Sequence, residues 1–91
     1  MPTMYQRSHQ ALSAPVDSDH VALQTTRGMA FGMEGVTASV WELVERPTSL
    51  DKIVATLRVL YEVDEMQCRA EVDALLREMV AEGLIVKEEE A

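Results

Sequence analysis

Near the N-terminus, apolar positions alternate with polar or small ones in three short runs. "ALSAPV" (11–16) reads as a weak strand, and Pro15, which cannot donate to a ladder, predicts that it lies at an edge. "HVALQT" (20–25) alternates, with Val21, Leu23 and Thr25 on one face. "MAFGM" (29–33) sets Met29, Phe31 and Met33 on one face and Ala30 and Gly32 on the other. The turn residues between these runs, "DSD" (17–19) and "TRG" (26–28), predict antiparallel hairpins. Residues 1–10 are polar and mixed, consistent with an N-terminal arm or an edge strand.

The period then lengthens. Val36, Val40, Leu43 and Val44 form a helical stripe that ends before Pro47. Thr48 followed by Asp51 resembles a capping box, and the stripe Leu50, Ile53, Val54, Leu57, Leu60 and Tyr61 follows it. Asp64 with Gln67 marks a further helix start. The longest helix runs over roughly 65–82, carries Cys68, Val72, Leu75, Leu76, Met79 and Val80, and has Gly83 placed as its C-terminal cap. "LIV" (84–86) is a last short strand or a tail packing back, and 87–91 reads as a solvated, mobile acidic tail. The order β-β-β-α-α-α predicts an α+β, winged-helix-like domain over 11–86, a three-stranded antiparallel sheet followed by three helices. Its expected core is Val21, Leu23, Phe31, Val40, Leu43, Ile53, Leu57, Val72 and Leu76.

Composition sharpens this picture. With 91 residues, 47% hydrophobic and 26% charged, the chain is a single small globular domain. No apolar run approaches the roughly 18 residues of a membrane span, and the N-terminus lacks the build of a secretory signal, so a cytoplasmic protein is the default expectation. The lone Cys68 forbids an internal disulfide and a cysteine-rich zinc site. No loop alternates oxygen ligands as a calcium site does, and the glycines at 28, 32 and 35 lack the Lys-Ser/Thr of a phosphate loop. Neither a metal nor another cofactor is expected.

Charge bears on the two active readings. A Cys68–His nucleophile would need a setting that favours a thiolate, whereas Cys68 sits on an acidic helix and His9 and His20 lie in or beside edge strands. The chain is therefore expected not to be an enzyme. A winged helix also suggests DNA binding, but residues 62–82 hold seven acidic side chains against Arg69 and Arg77, and the formal charge of the chain is −8. Such a helix repels a phosphate backbone, so no nucleic acid is expected. Peptide binding remains. An unpaired edge of strand 29–33 would be a template for an added strand, with the third helix as the pocket wall. An ordinary sheet edge over a Met- and Leu-rich core is the competing reading.

The segments "HVALQTTRGMAFGMEGVTASVWELVERPTSLDKIVATL" and "YEVDEMQCRAEVDALLREMVAEGLI" together resemble the PqqD-like domains, the recognition elements for precursors of ribosomally made, modified peptides (RiPPs). The likeness is closest to the stand-alone form of lasso-peptide gene clusters. It is carried by Phe31-Gly32-Met33, Gly35, Trp41-Glu42-Leu43-Val44, Pro47, Ser49-Leu50, Cys68-Arg69, Val72, Leu75-Leu76 and Gly83-Leu84, in order. Ala30 departs from it, where relatives commonly carry an aromatic. The resemblance implies a non-catalytic peptide chaperone. It would bind the leader of a precursor peptide as a strand beside 29–33 and against the third helix. It would then present the precursor to a leader-cleaving cysteine protease, with an ATP-dependent cyclase following. Family leaders carry a Tyr-x-x-Pro-like motif that needs an apolar slot. The implied leader-binding residues are Met29, Ala30, Phe31, Gly32 and Met33 on the strand. On the helix they are Cys68, Arg69, Val72, Asp73 and Leu76, with Arg69 and Asp73 as polar rim and Trp41 as core. The opposite flank of that helix, near Glu71, Leu75 and Glu78, is the alternative wall. A winged-helix transcription factor and a structural or dimerisation module are the alternatives from other classes.

Overall fold

The computed structural model describes residues 3–17 and 19–89. Ser18 of the first predicted turn, and Met1, Pro2, Glu90 and Ala91 at the chain ends, lie outside the described residues. The elements are β1 (Thr3–Arg7), β2 (Ala11–Val16), β3 (Asp19–Gln24), β4 (Met29–Met33), α1 (Gly35–Leu43), β5 (Thr48–Ser49), α2 (Leu50–Leu60), α3 (Glu65–Ala81) and β6 (Ile85–Glu89). The α+β class, the three hairpin strands and the three helices stand as expected from the sequence, with a second sheet in addition.

One antiparallel sheet has the order β2-β3-β4, with Ala22 opposite both Ser13 and Phe31. The other has the order β5-β1-β6, also antiparallel, with Tyr5 opposite both Thr48 and Lys87. Thr3–Arg7 is therefore a central strand, neither an arm nor an edge. Likewise Lys87–Glu89 belong to a strand rather than a free tail.

The core joins Val40 and Trp41 of α1 and its C-cap Val44, Ile53, Val54 and Leu57 of α2, and Cys68, Val72, Leu76 and Met79 of α3 with Tyr5, Ala22, Met33, Leu84 and Ile85. Phe31 and Leu43 are partly buried against it. One face assignment is corrected. On β3 the inward residues are His20, Ala22 and Gln24, while Leu23 is 42% exposed and Val21 only half-buried. The inner face has room for little beyond alanine at 22, and the buried Gln24 amide is satisfied there. Its Nε2 donates to the Gly83 carbonyl at 3.3 Å and its Oε1 accepts from the Arg27 backbone N–H at 2.8 Å.

The helix ends follow local chemistry. Asp64 accepts from Gln67 N–H at 3.0 Å, as its spacing predicts. On α2 the cap is Ser49, accepting from Lys52 N–H at 3.2 Å, one residue later than the Thr48 box. Gly83, at φ +75°, closes α3 with Gly83 N–H to Val80 and Leu84 N–H to Met79, both at 3.0 Å, a Schellman arrangement. Arg7 closes α1 from outside. Its Nη2 and Nε donate to the Trp41 carbonyl at 2.7 and 3.1 Å, and its guanidinium lies 4.3 Å over the Trp41 ring. Burial lowers the Arg7 pKa from its ordinary value, with Glu45 and Glu42 acting the other way.

Candidate functional site: an open strand edge beside the third helix

The sequence "MAFGM" places no charge and no proline on β4. Among the described residues β4 pairs with β3 alone, and its other edge presents backbone N–H and C=O groups with no strand partner there. Gly32 carries no positive φ, and a Cβ there would meet nothing within 4 Å. The fold itself does not require glycine at that place. A glycine in a strand interior commonly marks a point where another chain comes close.

The β3–β4 hairpin is held against α3 and α1 at both ends. At its turn, Arg27 Nη1 donates to the Ala81 carbonyl at 2.9 Å, a cation at a helix C-terminus, beside the Gln24–Gly83 bond. At the other end, His20 Nε2 and Glu42 Oε1 lie 2.9 Å apart. Beneath α1, Trp41 Nε1–H donates to Ser13 Oγ at 2.8 Å, which makes Trp41 a core residue.

Two adjoining cavities line the α3 flank that faces this hairpin. One, of about 300 Å³, lies among Phe31, Gly32, Met33, Leu75, Met79 and Leu84. The other, of about 250 Å³, lies among Val36, Leu57, Tyr61, Cys68, Val72 and Leu75. They adjoin at Thr37 and Leu75, which line both, and the second is walled by α1, α2 and α3 without a β4 residue. Their walls are mainly apolar, as a binding groove requires.

The ten residues expected from the sequence divide into three sets. Phe31, Gly32, Met33, Cys68 and Val72 line the groove, and Met29 and Ala30 complete the same edge strand. Leu76 is fully buried core. Arg69 and Asp73 leave the groove altogether. Arg69 Nη1 donates to Asp51 Oδ1 on α2 at 2.6 Å, a bond that raises the Arg69 pKa from its ordinary value. Asp73 pairs with Arg77 at 3.0 Å and lies in a cleft with Thr3, Tyr5 and Lys87. In place of Arg69 and Asp73, the polar rim is Glu71, Glu78 and Glu82, on the alternative flank. The helical wheel marked the apolar stripe. Only the packing of Leu76 into the core decides which side of the stripe meets β4.

The described residues hold no group of three or more side chains able to bind a metal ion, and no helix long and apolar enough to cross a membrane. Among them Cys68 is buried and makes no hydrogen bond to a histidine.

Residues 19–85 match the family described as coenzyme PQQ synthesis protein D (PqqD). The chain belongs to the PqqD family. The PqqD match takes in the edge strand, the three helices and Gly83, and it leaves out β1 and β2. Among solved structures, TbiB1 in complex with the TbiA(beta) leader peptide superposes with a TM-score of 0.84 at 27% identity, covering 94% of this chain and 98% of TbiB1. A lasso peptide synthetase B1 complexed with the leader peptide gives a TM-score of 0.77 at 19% identity, covering 90% and 96%, a likeness of fold. No curated protein matches the chain.

Proposed function

We propose that this PqqD-family domain binds the leader segment of a ribosomally synthesised precursor peptide by strand addition to β4. The leader lies in the groove between β4 and α3, and the domain presents the precursor to a leader-cleaving cysteine protease in lasso-peptide biosynthesis. An ATP-dependent cyclase acts downstream, in the cytoplasm. The domain works by binding and performs no chemistry of its own.

The observation that carries this reading is the bare β4 edge, five uncharged residues long, beside a mainly apolar cavity that adjoins a second one along α3. Main-chain pairing supplies affinity in such a mode, and pockets for alternate side chains supply specificity. TbiB1, over nearly its whole length, is a leader-bound protein of the same fold. The transcription-factor reading finds no support on α3, where Arg69 and Arg77 are both engaged with carboxylates.

The test is titration of the labelled leader peptide of the precursor encoded beside this chain, with a scrambled leader as control. Saturable binding that is lost when alternate leader amides are N-methylated is expected. Absence of binding, or binding indifferent to N-methylation along the whole leader, would overturn strand addition. A dimer in sedimentation that the leader does not dissociate would favour the self-pairing alternative.

A further inference from the structure

Three ion pairs of α3 and its neighbours fall on the side away from the groove. Arg69 holds Asp51 at 2.6 Å, Arg77 holds Asp73 at 3.0 Å and Arg58 holds Glu65 at 2.8 Å. None of these three arginines lines the groove, and no lysine or arginine lines either groove cavity. The groove rim instead carries Glu71, Glu78 and Glu82. Among the described residues Glu71 accepts from Gln67 Nε2 alone, at 3.2 Å, and Glu82 lies 4.0 Å from Arg27. Glu78 has no ion-pair partner among the described residues.

In the free domain these carboxylates are hydrated at little cost. A peptide seated in the groove displaces that water. A neutral or acidic neighbour would then leave Glu78 without a donor and Glu71 and Glu82 with one weak partner each, which is unfavourable. A lysine or arginine would replace the lost hydration with a charge-assisted hydrogen bond. The net charge of −8 also steers a cationic peptide toward the domain.

Resting on the leader-binding reading above, we infer that the groove selects an extended segment in which apolar anchors are flanked by lysine or arginine. The anchors occupy the two apolar cavities, and the basic side chains meet Glu78 first, with Glu71 and Glu82 at either side. The three glutamates are specificity determinants of the site.

The experiment titrates the leader of the adjacent precursor, and the same leader with its lysines and arginines changed to glutamine, into four proteins at matched ionic strength. These are the unsubstituted chain, Glu78→Gln, the triple variant Glu71→Gln/Glu78→Gln/Glu82→Gln, and Glu88→Gln on β6 as a distant control. Glu78→Gln should weaken the native leader about two- to fivefold, and the triple variant about tenfold, with a shallower salt dependence. The glutamine leader should bind weakly and discriminate little among the proteins, and Glu88→Gln should match the unsubstituted chain. Circular dichroism checks folding of the triple variant, and the exposed single change Glu78→Gln keeps the test decisive if the triple fails to fold. Native leader that binds Glu78→Gln with unchanged affinity and unchanged salt dependence would overturn the charge selection while leaving leader binding intact. Native leader that fails to bind the unsubstituted chain would remove both.

Discussion

β2, β3 and β4 reach one another through short hairpin turns, whereas β5, β1 and β6 come from three distant parts of the chain. The two sheets also treat their edges differently. β5 is two residues long, and β6 carries Lys87, Glu88 and Glu89, both familiar protections against pairing with another chain. On the other sheet β2 carries Pro15. Only β4 has none of these devices. A domain that blunts three edges and leaves one bare, with a glycine in the bare strand that the fold does not need, has an opening for a specific strand. On the proposed function, the remote sheet serves stability and the hairpin sheet serves recognition.

The sharpest way to break this division is to disturb the remote sheet. Tyr5 is 6% exposed at the centre of β1. Tyr5→Ala should lose about 3–4 kcal/mol of stability, the range of a buried aromatic deletion, read as a lower urea midpoint. A loss under about 1 kcal/mol would mean that β1 is an appended strand after all.

Gly83 joins the two regions. Its φ of +75° disfavours any side chain, and a Cβ would lie 2.8 Å from the Gln24 amide nitrogen. Gly83→Ala should lose about 2 kcal/mol. It should also weaken leader binding, because Gln24 and Arg27 hold the hairpin on the end of α3. Gly83→Ala with unchanged urea midpoint and unchanged leader affinity would show the hairpin to be positioned by other contacts.

The hairpins and helices were legible because their signals are local: alternation, caps at Asp64 and Gly83, and Pro47 after a helical stripe. The remote sheet was legible only in part: a strand at 84–86 and an edge strand within 1–10 are among the expected readings, but their pairing and β5 are not. Of "TMYQR" only Tyr5 is buried, and its partners Thr48 and Lys87 fall outside the expected strands. β3 was misread for a different reason. Its outward residues, Val21 and Leu23, are the more apolar set, and the inward Gln24 is paid for by two hydrogen bonds that no sequence pattern announces. The edge strand of the candidate site is legible in the "AFGM" run itself. Which flank of α3 faces β4 is not, because periodicity does not contain it.

Within the hairpin sheet, the edge itself can be broken without the fold. Successive N–H groups along a strand point to opposite edges. Of Phe31→Pro and Gly32→Pro, one therefore removes a donor of the β3–β4 ladder and the other a donor of the open edge. The ladder variant should be visibly destabilised in thermal melts. The open-edge variant should stay folded and bind leader at least about tenfold more weakly, a difference of about 1.4 kcal/mol. Folded variants that both bind leader like the unsubstituted chain would remove β4 as the docking strand.

The smallest expected effect separates the two flanks of α3. Arg69 and Asp73 sit where a helical wheel alone would put the polar rim, yet both are committed away from the groove, to Asp51 and Arg77. The Arg69 and Asp51 side chains are 42% and 82% exposed, so their bond is screened by water however short it is. Arg69→Ala should leave the urea midpoint nearly unmoved. Asp73→Asn, which weakens one i,i+4 pair, should change stability by about 0.3–0.5 kcal/mol. Leader affinity should move less than about twofold in either variant, within the range of surface changes remote from a site. The measurement is calorimetric titration of leader into Arg69→Ala, Asp73→Asn and Glu78→Gln at one salt concentration. A fivefold loss at Arg69 or Asp73, with the urea midpoint unmoved and Glu78→Gln silent, would put the leader on the far flank, over the cleft that Asp73 shares with Tyr5 and Lys87. In that event the sheet assigned to stability would be the one that recognises the peptide.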